Sequence, residues 1–257
     1  APAPSISTSS TSKVYGASAT SLATTQGTSY DSGVSVNYNF GYSSSANGTY
    51  TYGTASTTTT YSVSATSHYG TRYYKVQAYA TDGTLTSTTT TWSSSMYVQL
   101  TAATITFDAN TGTLSGTSPL YAKKDATTLY TTNTGTTGAT APTASKTGYT
   151  FAGWYTATSG GNKVLNSEGN LTGTAVSGYT TATAWATTAN KTLYAQYTPN
   201  IYAITLNNQD ATTEGTTTIF EKYNTGYYKE SSATTQITTS ANAITVPVRT
   251  GYTFAGY

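Results

Sequence analysis

The chain has 257 residues, of which 8% are charged; its net charge is +2, it has no cysteine, and 25 residues are tyrosine. That length suffices for two or three small domains. The charge is too small and too scattered for a nucleic-acid footprint, and no apolar run approaches the roughly 20 residues that span a bilayer, so neither nucleic acid nor membrane insertion is an expected partner. Low charge with few aliphatics is also the mark of disorder, but disordered chains are poor in aromatic and β-branched residues as well. Thr and Tyr are strand formers, so the composition predicts an all-β protein with neutral polar surfaces.

In chain order, Ala1-Pro2-Ala3-Pro4 carries neither an initiator Met nor a signal peptide. It reads as a processed end or a Pro-rich spacer. Residues 5–30 are rich in Ser and Thr, with Val14-Tyr15 and Leu22-Ala23 expected to begin edge strands. Residues 34–42 alternate cleanly and predict a strand. Asn47-Gly48 is a hairpin signal, after which Tyr50-Thr51-Tyr52 would return. Residues 61–65 and 73–80 alternate again, the latter running into a second turn at Asp82-Gly83. Residues 86–92 and 96–100 complete the set. Short strands punctuated by turns predict an antiparallel sandwich over residues 1–103.

Residues 105–110, Ile-Thr-Phe-Asp-Ala-Asn, predict a half-buried strand running into an Asn-rich hairpin turn, and residues 204–209 repeat the pattern. The motif Lys146-Thr147-Gly148-Tyr149-Thr150-Phe151-Ala152-Gly153-Trp154-Tyr155 returns as Arg249-Thr250-Gly251-Tyr252-Thr253-Phe254-Ala255-Gly256-Tyr257, which marks a modular array. Gly148, Gly153, Gly251 and Gly256 permit tight turns or close approach to a ring. Tyr149 and Phe151 share one face of a strand, and Tyr252 and Phe254 repeat them in the second copy. Trp154 and Tyr155 read as core or junction packing, with a ligand platform as the alternative. Residues 191–199 alternate once more and close on Pro199, which cannot donate to a ladder. No counterpart of 191–197 follows within 201–257.

The strand ending Phe107-Asp108-Ala109-Asn110, the block from Gly148 to Tyr155, Ser159-Gly160-Gly161, and the closing Thr192-Leu193-Tyr194-Ala195-Gln196-Tyr197 occur in one order. In that order they resemble the Listeria-Bacteroides repeat, the B-repeat of internalin-type surface proteins. The resemblance covers 104–199 in full and 201–257 in part, with an extra hairpin or loop expected between Gly161 and Lys191. It implies a β-grasp-like module over 104–200, a partial second module over 201–257, a cell-surface or secreted setting, and no catalytic residues. Residues 73–80 with Asp82-Gly83 resemble the penultimate strand and hairpin of a fibronectin type III or immunoglobulin-like domain over 1–103.

Few residues suggest chemistry. His68 is the only histidine, and no nucleophile elbow accompanies the many serines. One histidine and no cysteine leave no zinc set, and Asp82 and Asp108 read as turn caps before calcium ligands. No catalytic residue, metal or cofactor is expected. The sequence predicts a structural segment of an extracellular protein — a stalk, adhesin or filament subunit — that self-associates or joins neighbouring domains of a longer chain. The second reading is a module for cell-surface glycans, with Tyr42, Tyr50, Tyr52, Tyr69, Tyr73 and Trp92 as stacking or self-association aromatics. That reading requires several of them to cluster on one exposed face.

Overall fold

A computed structural model describes residues 3–25, 32–239 and 242–257; Ala1, Pro2 and the end of the Ser/Thr-rich stretch lie outside the described residues. Its regular structure is all β. The chain forms two compact units. One gathers residues up to Thr106 with Thr117–Ala141 and Leu171–Thr192; the other gathers Phe107–Gly116, Pro142–Asn170 and Leu193–Tyr257. The stretch expected as one module, 104–200, thus contributes segments to both.

The first unit opens with eight strands: β1 (Ser5–Ile6), β2 (Thr11–Val14), β3 (Thr20–Thr25), β4 (Ser35–Ser43), β5 (Thr51–Tyr52), β6 (Thr60–Val63), β7 (Gly70–Thr81) and β8 (Met96–Thr101). They make a three-stranded sheet, β1-β3-β6, and a five-stranded sheet, β2-β8-β7-β4-β5. In these two sheets β2 and β8 run parallel, and the other described pairings are antiparallel. Alternation aims Tyr38 and Phe40 of β4, Tyr74, Val76 and Ala78 of β7, and Met96, Val98 and Leu100 of β8 into one core with Leu22 and Val63 of the smaller sheet. The Phe40 and Tyr61 rings stack across it at 5.3 Å. Each such buried apolar side chain contributes about 1.5–3 kcal/mol. The expectation of an edge strand at Leu22-Ala23 is corrected: β3 is the middle strand of its sheet, and Leu22 is fully buried.

A second correction concerns residues 86–92, which are not a strand. β8 pairs with β7 only as far as Tyr74, leaving the rest of that edge open. The segment that follows the Asp82 turn fills it in a different way. The backbone N–H groups of Ser87, Thr90 and Ser93 donate to the carbonyls of Ala80, Ala78 and Val76. The hydroxyls of the same three residues accept from the N–H groups of those same partners at 2.9–3.0 Å. Hydroxyl-bearing residues at every third position therefore cover every second residue of β7. A hydroxyl stands in for each carbonyl that a regular strand would present, and the alternation test misses the pattern because its period is three.

Downstream lie β9 (Ala103–Asp108), β10 (Thr113–Ser115), β11 (Leu120–Ala122), β12 (Leu129–Tyr130), β13 (Gly138–Ala139), β14 (Thr143–Ser145), β15 (Tyr149–Tyr155), β16 (Lys163–Leu165) and β17 (Lys191–Pro199). Seven of them form a sheet ordered β13-β12-β11-β9-β17-β15-β16, while β10 pairs with β14. The Asn-rich turn after β9 is present, with Asp108 Oδ1 accepting from Asn110 N at 2.8 Å. The expected hairpin there is not, because β9 takes β11 as its antiparallel neighbour. The stretch between β16 and β17 is an irregular loop anchored by Trp185, which is buried and exchanges backbone hydrogen bonds with Asp125 and Ala126.

The chain closes with β18 (Ile201–Thr205), β19 (Thr218–Lys222), β20 (Gly226–Tyr228) and β21 (Gln236–Ile237), a four-stranded meander in that order. Residues 252–257 form no strand.

Ser93 is almost completely buried, and so is the Val76 N–H it satisfies. Ser93→Ala is expected to cost about 1–3 kcal/mol by leaving that donor unpaired, whereas Thr89→Ala, at an exposed position between two rungs, is expected to be near neutral. Denaturant unfolding of both variants measures the difference. At Gly153 (φ +124°) a Cβ would lie 2.4 Å from the Leu165 carbonyl oxygen, and at Gly256 (φ +132°) it would meet nothing within 4 Å. Gly153→Ala should therefore destabilise by at least about 2 kcal/mol more than Gly256→Ala, read from the same unfolding curves.

Candidate functional site

The aromatics singled out from the sequence fall into three places. Tyr50, Tyr52, Tyr73 and Trp92 lie together on the outer face of the five-stranded sheet. Tyr52 opposes Gly41 in the register of β4 and β5, and its ring covers that glycine, where a Cβ would come within 2.8 Å. Trp92 stacks on Tyr52 at 4.8 Å and nearly parallel, and on Tyr50 at 6.2 Å. Lys75 Nζ sits 4.8 Å from the centre of the Tyr50 ring. On β7 and β8, Tyr73 meets Tyr97 edge to face at 6.1 Å.

The local sequence explains this grouping. The outward positions of β7 are 73, 75, 77 and 79, the alternates of buried 74, 76 and 78. Tyr50 and Tyr52 are spaced by two on the return strand, so both face outward. Trp92 precedes Ser93, and the hydroxyl rung of Ser93 fixes where Trp92 emerges. Tyr52 is half exposed and Tyr97 is 39% exposed, while Tyr50 is buried and donates to the Ala46 carbonyl. Burial pushes the Tyr50 hydroxyl above its ordinary range, with Ser95 opposing the shift.

Two candidates lie elsewhere. Tyr42 points to the core side, against Tyr74 and beneath the Arg72 guanidinium. Tyr69 stacks face to face on Tyr15 at 4.1 Å and carries Lys123 over its ring. Its hydroxyl is pushed up to about 12, chiefly by burial. Tyr97 is an outer-face aromatic that the sequence reading left out; its place in the alternation of residues 96–100 was the available signal.

The motif glycines and aromatics divide in the same way. In the first copy Trp154 is fully buried, donates to the Pro142 carbonyl at 2.9 Å, and meets Phe107 and Phe151 edge to face. Packing, and not a ligand platform, accounts for it. Gly148 (φ +78°) lies against the Tyr223 ring, leaving no room for a Cβ, and Tyr149 meets the same ring edge to face at 5.4 Å. In the second copy Tyr252, Phe254 and Tyr257 are exposed.

Charge is handled through rings. Lys124 pairs with Asp125 at 2.7 Å, whereas Arg72, Lys75, Lys123, Lys146, Lys163, Lys191 and Arg249 each lie over a tyrosine. A cation on an aromatic face is worth about 0.5–1 kcal/mol when exposed. Among the described residues no cluster of three His, Asp or Glu side chains is placed to hold a metal ion, and no helix is long and apolar enough to cross a membrane. Asp82 caps its turn as expected, its carboxylate accepting from the N–H groups of Thr84 and Leu85.

His68 is held at both ring nitrogens. Nε2 lies 3.1 Å from the Val98 carbonyl oxygen, which can only accept, so Nε2 carries the proton and Nδ1 faces the Ser67 hydroxyl at 2.8 Å. The nitrogen away from the serine faces a carbonyl and not a carboxylate. No protein-family model matches the chain, and no curated protein matches its sequence.

Burial lowers the His68 pKa below its ordinary 6.5, so the unfolded chain takes up the proton first. Stability should fall as pH drops through 6.5 and level off below the folded value. His68→Gln is expected to flatten the profile between about pH 7 and pH 5, as measured by thermal unfolding across that range.

Proposed function

We propose that this chain is a structural segment of an extracellular cell-surface protein, a stalk, adhesin or filament subunit built of β-modules in series. The observation that carries the reading is the repeated module. Ile204 pairs with Ile219 as Ile105 pairs with Leu120, and Thr213 bridges Val248 as Thr113 pairs with Ser145. The four separated pieces that resemble the Listeria-Bacteroides repeat support a β-grasp-like module at 104–200 and a partial second one at 201–257. The strand order supports an immunoglobulin or fibronectin III-like sandwich at 1–103. The orders β1-β3-β6 and β8-β7-β4 support that reading, because strands A-B-E and G-F-C follow those orders in such a sandwich. The reading is non-catalytic, in keeping with the engaged ring nitrogens of His68. Self-association through sheet edges or tyrosine surfaces fits a chain with little charge to oppose contact.

One observation favours glycan binding as a second reading: Trp92, Tyr52 and Tyr73 present rings on one sheet face, beside Lys75. A sugar ring stacks on such a surface through its C–H groups.

Electron microscopy of native material, with immunogold labelling of residues 1–257, tests the structural reading. Label on surface filaments or a surface layer is expected, and label confined to the cell interior would overturn it. On a glycan array, binding that Trp92→Ala or Tyr52→Ala abolishes would move the assignment to the second reading.

A further inference from the structure

Four strands form the edges of the three- and five-stranded sheets: β1 and β6 of one, β2 and β5 of the other. A strand edge presents unpaired N–H and C=O groups, and proteins blunt such edges with short strands, charges or covering segments. Three of the four are blunted. β1 and β5 have two residues each. β2 carries Lys13, whose ammonium donates to the Ser18 hydroxyl and the Ala19 carbonyl. The part of the β7 edge beyond β8 is closed by Ser87, Thr90 and Ser93.

β6 is blunted in none of these ways. It reads Thr60-Tyr61-Ser62-Val63, and neither a charged residue nor a proline occurs between Asp31 and Arg72. The strand lies inside the chain, between β5 and β7. Which groups it leaves free follows from the register. The pairs Thr20↔Val63 to Ala23↔Thr60 continue to Thr24 and Thr59, where Thr24 N donates to the Thr59 carbonyl. Alternate residues of an antiparallel strand bond to the same neighbour, so Tyr61 and Val63 face β3 as Thr59 does. The N–H and C=O groups of Thr60 and Ser62 point the other way, where no described strand lies. The far side of β3 agrees: Ala23, opposite Thr60, turns its carbonyl to Ser7 N.

The side chains around this edge suit pairing. Val63 is buried, and Tyr61 packs on the same core with its ring stacked on Phe40, yet stays only half-buried. Thr60 and Ser62 are exposed and alternate with them, so they lie on the opposite face. The edge offers free main-chain donors and acceptors, hydroxyls on one face, and a partly uncovered aromatic ring on the other.

We propose that β6 is a homotypic docking edge, pairing antiparallel with β6 of a second copy about a two-fold axis at Tyr61. The inference rests on the structural reading and deepens it, by naming the edge through which the chain self-associates. In this register Thr60 of each copy faces Ser62 of the other. Each copy contributes two outward donors and two outward acceptors, so four main-chain hydrogen bonds form. The Thr60 and Ser62 hydroxyls meet across the outer face. The two Tyr61 side chains meet on the core face, each covering what the other leaves open. The occupant is a second copy because the edge is its own complement. A two-fold contact sets each residue against another of the same segment, and neither copy brings a charge to it. Pairing joins the two three-stranded sheets edge to edge. So small a contact is weak between two chains and gains strength where many copies are arrayed.

The test is sedimentation of the whole chain over a series from about micromolar to about millimolar concentration, with amide hydrogen exchange at both ends of the series. The mass is expected to rise toward twice that of one chain. Exchange at the Thr60 and Ser62 amides should slow by about tenfold or more, while Tyr61 and Val63, already bonded to β3, change little. Ser62→Pro removes an outward N–H without touching the pairing with β3, and should leave a folded monomer. Ser62→Lys keeps the backbone, charges both sides of the contact, and should weaken association by about tenfold or more. Tyr97→Ala, on the outer face of the other sheet, should leave it unchanged. A chain that stays monomeric throughout, association that both Ser62 variants retain or that Tyr97→Ala abolishes, or association without slowing at Thr60 and Ser62 would overturn the proposal. Slow exchange of those two amides already at the lowest concentration would assign the edge to a segment of the same chain and overturn the choice of partner. A monomer found on surface filaments would end this inference and leave the structural reading standing. Label confined to the cell interior would end that reading whatever the sedimentation shows.

Discussion

A strand has two edges, and each buried N–H and C=O along them needs a partner. In a chain whose regular structure is all β, that requirement falls on neighbouring strands, on loops that imitate strands, and on side chains. Most of this architecture is a set of answers to it. β7 meets β4 along one edge, and β8 and then residues 86–94 along the other. β17 closes two edges at once by lying between β9 and β15. β18 to β21 satisfy it among themselves as a meander.

The abundance of serine and threonine has a structural use in this setting. A hydroxyl both donates and accepts, and its oxygen replaces a carbonyl where a regular strand does not fit. Ser87, Thr90 and Ser93 do this along β7. They close an edge that would otherwise be open to pairing with another chain. The tyrosines play a parallel part for charge. With few carboxylates available, lysines and arginines rest on tyrosine faces, which takes their aliphatic stems along apolar surface and leaves the head groups partly in water.

The repeated motif shows how far one sequence can lead to two outcomes. Gly148 to Tyr155 is a bulged strand with a buried tryptophan at its end. Gly251 to Tyr257 holds the same glycine conformations, with Tyr252, Phe254 and Tyr257 exposed. The glycines take the same backbone shape in both copies, and in the first copy β17 and β16 flank the strand whose tryptophan is buried.

By itself the sequence determined what depends on local pattern. Alternation located β4, β6, β7, β8, β9 and β17, Asn47-Gly48 and Asp82-Gly83 placed the turns, and composition determined the all-β class. Alternation in residues 96–100 also carried the signal for Tyr97, which the structure sets against Tyr73. Only the tertiary structure decided the rest. It put Leu22 in a central strand, turned Tyr42 toward the core, and gave Tyr69 to Tyr15 and Lys123. It replaced the strand expected at 86–92 with a hydroxyl ladder and separated the fates of the two motif copies. The reason is physical: backbone alternation and turn chemistry act over a few residues, whereas strand order, the face that meets a partner sheet, and the filling of an edge depend on segments distant in the chain.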